Sequence, residues 1–459
     1  MVGETLKKYL IKISDPKIPD YVYSMFPSIA SDKEKLEKVY TMYKAGNISD
    51  FAQAFFALRK SGRIITKIIN FRIDIDRNII IAKIPIDYPL VIPLDLLKTD
   101  DPDSLINELS KPLVVSCVYK RGYLLANEIK FGYQKTSTDL AKEIYEDVSV
   151  SSLLYAIGLH PEWKIFMLYL PRFMGLFKGF DVKRGEKPFM PIHIMQFTPP
   201  ASGKSSFATR IESAFNFEYL GGEFPSLARL VGDARDGKVG IVALKDGVIF
   251  DEFEKVNYKI RQEFTEIQRD LQTGMEQGIW KRGKGAYAPV IYKFVNFIVF
   301  GNNDELIKSK NARTGLQMLY QIDGFSAFVD RFTVIDNVPE SVDILKAVTG
   351  YVLPNHILRG LVEYLQSNMK RVEPNIQLES RYHRHLINVK SFLSTIGLSV
   401  PDTILADIVT GYTSFSNIRP ASVTEAEKFL VKVDLSDIRR ANIEDEIEEI
   451  KSDVKESDK

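Results

Sequence analysis

The 459 residues carry 61 Lys and Arg against 60 Asp and Glu, with 45% apolar and 26% charged positions, a composition that excludes wholesale disorder. A formal net charge of +1 leaves no global field to draw the chain onto nucleic acid or membrane, so any such contact has to come from a local cluster. One cysteine, Cys117, excludes an internal disulfide, and with five scattered histidines it leaves no set of ligands for a zinc finger.

The N-terminal sequence MVGETLKKYLIKISD is charged throughout and has no apolar core leading to a cleavage site, so a signal peptide is not expected. Residues 1–147 form a first region, predicted as an α+β accessory domain. A helical pattern at 31–44 gives way to strand-like runs at 63–69 and 78–82. The proline-rich stretch 84–93 follows, and proline there argues against a central strand.

Residues 148–340 are predicted as an α/β core, a parallel sheet flanked by helices. A helical segment near 151–180 leads into strands alternating with helical patterns from 191 to 336. The most apolar stretch, 165–180, is interrupted by Pro171, Arg172 and Lys178 and falls short of the roughly 20 residues that span a bilayer. No membrane partner is expected, and the location expected is cytoplasmic. Beyond 340 the pattern is mostly helical to 435, where His383 and His385 read as surface or lid residues rather than metal ligands. The charged stretch 436–459 reads as a frayed helix or disordered tail.

The chemistry-bearing residues lie in the α/β core. A buried strand at 192–197 is followed by Thr198-Pro199-Pro200-Ala201-Ser202-Gly203-Lys204-Ser205-Ser206 and then a helix. The second half of the P-loop pattern is intact, while Thr198 stands where the pattern has its first glycine. Loop N–H groups from Ser202 to Ser206 would face phosphate at a helix N-terminus. Lys204 would reach the β and γ oxygens of ATP, and the Ser205 hydroxyl would coordinate Mg²⁺.

Residues 238–250 hold two β-branched runs split by a turn and end in Asp251-Glu252, which suits a Walker B element. Asp251 would hold the Mg²⁺ shell and Glu252 would polarise the attacking water. A third strand at 294–300 leads to Asn302, placed to hydrogen-bond the γ-phosphate or its water. Arg331, read as opening another apolar strand, could stabilise transition-state charge in a neighbouring subunit. The alternative is a salt bridge to Asp330 or another surface carboxylate.

Taken together, these phrases resemble the AAA+ ATPases, in the branch with a hairpin before sensor 1. Within that branch the likeness is to the minichromosome maintenance (MCM) helicases first and the superfamily 3 viral helicases next, over roughly residues 151–414. Asp251-Glu252-Phe253-Glu254-Lys255 is similar to the MCM Walker B phrase. Residues 228–247 resemble the helix-2 insert, and Met275-Glu276-Gln277 with the glycine-rich, basic 278–285 resembles the pre-sensor-1 hairpin. The chain departs from the family in its P-loop start and in lacking a Cys-based zinc motif.

The resemblance implies an AAA+ core with a helical lid, Arg331 as the arginine finger and Arg381, opening a helix at Ser380, as sensor 2. It implies a homo-oligomeric, hexameric ring and nucleic acid, DNA in particular, as the substrate of a helicase or motor, while the departures point to a virus or plasmid origin. Lys281, Arg282 and Lys284 would then meet the phosphate backbone. Trp280 beside them either stacks on a base or packs inward. The alternative is a MoxR-like remodeller of proteins.

Overall fold

The computed structural model describes residues 3–12, 63–66, 68, 70–74, 76–83, 89–97, 109, 113–120, 123–131, 137–181, 187–222, 225–233, 238–253, 270–281, 290–302, 306, 309–320, 324–420 and 429–436. The helix expected at 31–44 and the tail beyond 436 lie outside these residues. Contacts divide the chain into two units, Ile11–Leu140 with Ser436–Lys459, and Ala141–Leu435 with Met1–Leu10.

In the smaller unit six strands form one sheet: β1 (Arg63–Thr66), β2 (Asn70–Asp74), β3 (Ile79–Lys83), β4 (Leu90–Pro93), β5 (Leu113–Lys120) and β6 (Tyr123–Phe131), in the order β1-β5-β6-β4-β3-β2. Ile80, Ala82, Leu90, Ile92, Val115, Leu124 and Ala126 are buried, the period of two expected of strands with one covered face. The expectation that prolines keep 84–93 out of the sheet interior is overturned: β4 lies between β3 and β6. Pro89 and Pro93 bracket the strand, and Pro89 serves the ladder with its carbonyl, accepting from Leu124 N at 3.0 Å.

The larger unit holds a five-stranded sheet of β7 (Ile194–Thr198), β8 (Phe217–Gly221), β9 (Gly247–Asp251), β12 (Asn296–Asn302) and β13 (Val334–Asn337). All neighbours are parallel, in the order β8-β9-β12-β7-β13. Nearly every residue of β7, β9 and β12 is buried, as a parallel sheet covered on both faces requires. An antiparallel ribbon, β10 (Ile279–Lys281) with β11 (Val290–Tyr292), stands outside this sheet.

Alternation along the strands sorts the core into two faces. Met195, Phe197, Val248, Phe250, Phe297, Val299 and Ile335 pack in one cluster with Leu316, Phe325 and Phe328. Those last three come from α3 (Ala312–Tyr320) and α4 (Phe325–Val329), the crossover from β12 to β13. On the opposite face Phe300 meets Phe207 of α2 (Lys204–Ala214), the helix that follows β7, and Phe207 meets Phe173 of α1 (Trp163–Met174). Connections leaving adjacent strands β7 and β12 thus run to opposite faces, so the crevice at their carboxyl ends is a topological switch point, where α/β sheets bind ligands. Helices α5 (Asn355–Asn368), α6 (Ser380–Thr395) and α7 (Asp402–Thr410) follow.

Three local readings change. Ile241–Leu244, read as part of a strand-like run, is a single helical turn closed by Lys245 N on the Ile241 carbonyl at 2.8 Å. Arg331 sits in the turn between α4 and β13 rather than opening a strand. His385 is buried, its Nε2 3.0 Å from the Asp330 carbonyl, because it lies on the core side of α6.

Candidate functional site

The site begins where β7 and β12 end side by side, with Thr198 in register with Asn302. The loop after Thr198 turns through two left-handed residues, Ala201 at φ 59° and Gly203 at φ 73°. Gly203 is required twice over, since a Cβ there would lie 2.2 Å from the Tyr169 hydroxyl. Helix α2 starts at Lys204 immediately after it.

Lys204 is buried, and its Nζ donates to Asn302 Oδ1 at 3.0 Å, to Thr198 Oγ1 at 3.1 Å, and to the carbonyls of Thr198 and Pro199 at 3.3 and 3.4 Å. The ammonium therefore bridges the carboxyl ends of two adjacent strands. Thr198 Oγ1 also lies 2.5 Å from Ser202 Oγ, which closes the loop across its mouth.

One residue on, Ser205 Oγ donates to Asp251 Oδ2 at 2.8 Å. The Tyr219 hydroxyl, from β8, donates to the same carboxylate oxygen at 2.9 Å. Burial raises the Tyr219 pKa, so it stays a neutral donor. Asp251 Oδ1 accepts from Glu252 N at 2.9 Å, and Glu252 adopts the left-handed region at φ 58°. Its carboxylate lies beside Gly222, where a Cβ would come 2.9 Å from Oε2. Ser206 is exposed on the first turn of α2.

The donor set fits Mg²⁺. Two hard oxygens, a hydroxyl and a carboxylate, stand 2.8 Å apart, close to the about 3.0 Å edge of an octahedron with bonds near 2.1 Å. Among the described residues no group of three or more His, Cys, Asp or Glu could hold a metal. Two protein oxygens suit an ion that takes its other ligands from phosphate and water.

The remaining residues singled out in the sequence lie elsewhere. Arg331 donates to the Gln272 carbonyl at 3.0 Å, to the Ala327 carbonyl, and to Glu276 Oε2 at 2.9 Å. Arg381, at the start of α6, reaches Asp330 Oδ2 at 3.5 Å, and the Tyr382 hydroxyl meets Asp330 Oδ1 at 3.1 Å. Lys281 is exposed at the end of β10, and Arg282 and Lys284 lie outside the described residues. Trp280 packs inward: it is fully buried and donates to the Lys293 carbonyl at 2.8 Å. Sequence reasoning missed Tyr219 and treated Arg172, which reaches from α1 to the Ser202 carbonyl of the loop after β7, only as a break in an apolar stretch.

Residues 190–386 match the family model for the ATPase domain of Lon-like protease BrxL-like proteins. That likeness supports an AAA+ ATPase. The matched stretch contains β7, β9, β12 and β13 and every residue named above on the sheet's carboxyl edge. The chain is 26% identical to protein ORF425 of Acidianus filamentous virus 2, over 84% of this chain and 93% of that protein. It is 28% identical to protein 440 of Sulfolobus islandicus rod-shaped virus 1, over 80% and 85%, and 24% identical to ORF426 of Acidianus filamentous virus 1, over 82% and 91%. Likeness over such shares extends well outside the ATPase domain. No described helix is long and apolar enough to cross a membrane.

Proposed function

We propose that this chain is an MCM-like, virus-encoded AAA+ motor that couples ATP hydrolysis to translocation on, or unwinding of, DNA as a hexameric ring in the host cytoplasm. The observation that carries the ATPase part is the joint arrangement at the switch point, with Lys204 between Thr198 and Asn302 and Ser205 on Asp251. Ser202 to Ser206 line the phosphate cradle, Lys204 meets phosphate oxygens, and Ser205 and Asp251 hold Mg²⁺. When bound, Mg²⁺ would offset phosphate charge. Glu252 orients and deprotonates the attacking water, and Asn302 hydrogen-bonds that water or the γ-phosphate. Arg331 and Arg381 serve as the arginine finger and as sensor 2.

Support for nucleic acid is the β10–β11 ribbon. Its inner residue, Trp280, is buried in the core, Lys281 at the end of β10 is exposed, and the sequence that follows at 282–285 is rich in glycine and cations. Cations in such a sequence pair with phosphates without reading bases. The test is the ATPase rate with and without single- and double-stranded DNA, on wild type and on a Lys281→Ala/Lys284→Ala variant. Stimulation by DNA that the variant loses is the expected result. A wild-type rate indifferent to DNA, with stimulation by an unfolded protein instead, would establish the second reading, a MoxR-like protein remodeller. The Lon-like description of the matched family is the observation that favours it.

A further inference from the structure

Arg172 lies near the end of α1, directly after Pro171, and is fully buried. Its Nε donates to Gln196 Oε1 at 2.6 Å, one terminal nitrogen donates to the Ser202 carbonyl at 3.0 Å, and the other reaches Ser202 Oγ at 3.4 Å. The guanidinium also lies over the Tyr169 ring, 4.3 Å from its centroid. Gln196 in turn donates to the Leu168 carbonyl and to Asp336 Oδ2, both at 2.8 Å. Asp336 further accepts from Ser414 Oγ at 2.6 Å and from Phe415 N at 3.0 Å. Gln196 and Asp336 are register partners on β7 and β13, so two strands and α1 build this network beneath the loop.

A buried guanidinium is costly, and an apolar side chain would fill the space more cheaply. Here it is spent on the backbone of the phosphate loop. The peptide group is planar and trans, so the Ser202 carbonyl and the Gly203 N–H point in opposite directions. With that carbonyl drawn into the core by Arg172, the Gly203 N–H is turned out of the core, toward the loop's open side. We propose that Arg172 is a positioning residue for the phosphate loop: it fixes the 202–203 peptide so that Gly203 N–H meets a nucleotide phosphate. The device suits a loop that lacks the first glycine of the P-loop pattern. It rests on the nucleotide reading above.

The test compares binding of ATP, ADP and adenosine by calorimetry to wild type, Arg172→Lys and an Arg172→Met/Asp336→Asn variant that removes both buried charges, with thermal melts to establish folding. The expected result is at least a tenfold rise in Kd for ATP and ADP in the double variant, adenosine within twofold, and an intermediate loss in Arg172→Lys. In turnover, KM should move more than kcat. Folded variants that bind ATP within twofold of wild type would overturn the role of Arg172 alone, whereas a wild type that binds no ATP overturns the nucleotide reading as well. Should the variants fail to fold, a crystal structure of wild type with a nonhydrolysable ATP analogue decides. Gly203 N–H on a phosphate with the Ser202 carbonyl still on Arg172 supports the proposal, and a flipped peptide refutes it.

Discussion

Thr198 stands where the P-loop pattern has its first glycine, and its backbone does not need one. It is the last residue of β7, in register with Asn302, so the chain is still extended there and needs no left-handed turn. The turning falls instead on Ala201 and Gly203. The Thr198 hydroxyl accepts from Lys204 and bonds Ser202, which makes it part of the cradle. Glu252 is the residue whose removal should separate binding from chemistry. A Glu252→Gln variant keeps the left-handed backbone and the hydrogen bond from Glu252 N to Asp251, but loses the base. It should bind ATP within about twofold of wild type while turnover falls roughly 100-fold or more, the range of a general base. Paired binding and single-turnover measurements check this, and an unchanged rate would remove Glu252 from the chemistry. Lys204, Ser205, Asp251 and Glu252 were legible because short spacings within the sequence bring them to strand ends. Tyr219 and Arg172 were not, because their partners lie 32 and 30 residues away and only strand pairing, for Tyr219, and helix packing on the sheet, for Arg172, join them.

At the scale of elements, sequence patterns located strands well and their environments poorly. The proline-flanked β4 sits inside its sheet because its prolines fall at its ends, a distinction that composition does not make. Trp280 beside three glycines and three cations reads from sequence as either stacking or packed, and β10 turns it inward. The entry to β7 holds a comparable case. His193 is buried: Nδ1 accepts from Phe297 N of β12 at 3.2 Å, and Nε2 faces the Met275 carbonyl of a helical turn at 3.3 Å, so the ring is neutral with its proton on Nε2. Burial, reinforced by Arg384 and Arg331, pushes its pKa from 6.5 down to about 4. The unfolded chain then binds more protons than the native one between these values, so stability rises with pH across that window and is lost as pH falls from about 6.5 toward 4. The contribution is on the order of 3 kcal/mol. His385, lowered by burial as well, acts in the same direction. Urea midpoints measured from pH 7 to pH 4 should fall less steeply in His193→Gln, whose amide can both accept from Phe297 and donate to Met275. Parallel curves for the two proteins would show that His193 does not titrate as argued.

For the whole molecule, the decisive question is whether one chain completes another's site. Arg331 is already occupied within its own chain by Glu276, Gln272 and Ala327, and Arg381 by Asp330. These contacts place both arginines around the α4–β13 turn and the start of α6, while the proposed nucleotide site lies at the ends of β7, β9 and β12. A finger acting in trans reconciles the two locations, and it makes a prediction that no single-chain mechanism shares. Lys204→Ala should lose ATP binding, and Arg331→Ala should bind ATP but turn it over poorly. In a ring assembled from equal amounts of the two, a site works when an Arg331→Ala chain supplies Lys204 and its neighbour, a Lys204→Ala chain, supplies Arg331. Random mixing gives that pairing at about one interface in four, so roughly a quarter of the wild-type ATPase rate should return. A mixture no more active than the sum of its parts would make Arg331 a residue of its own chain's structure, held there by Glu276.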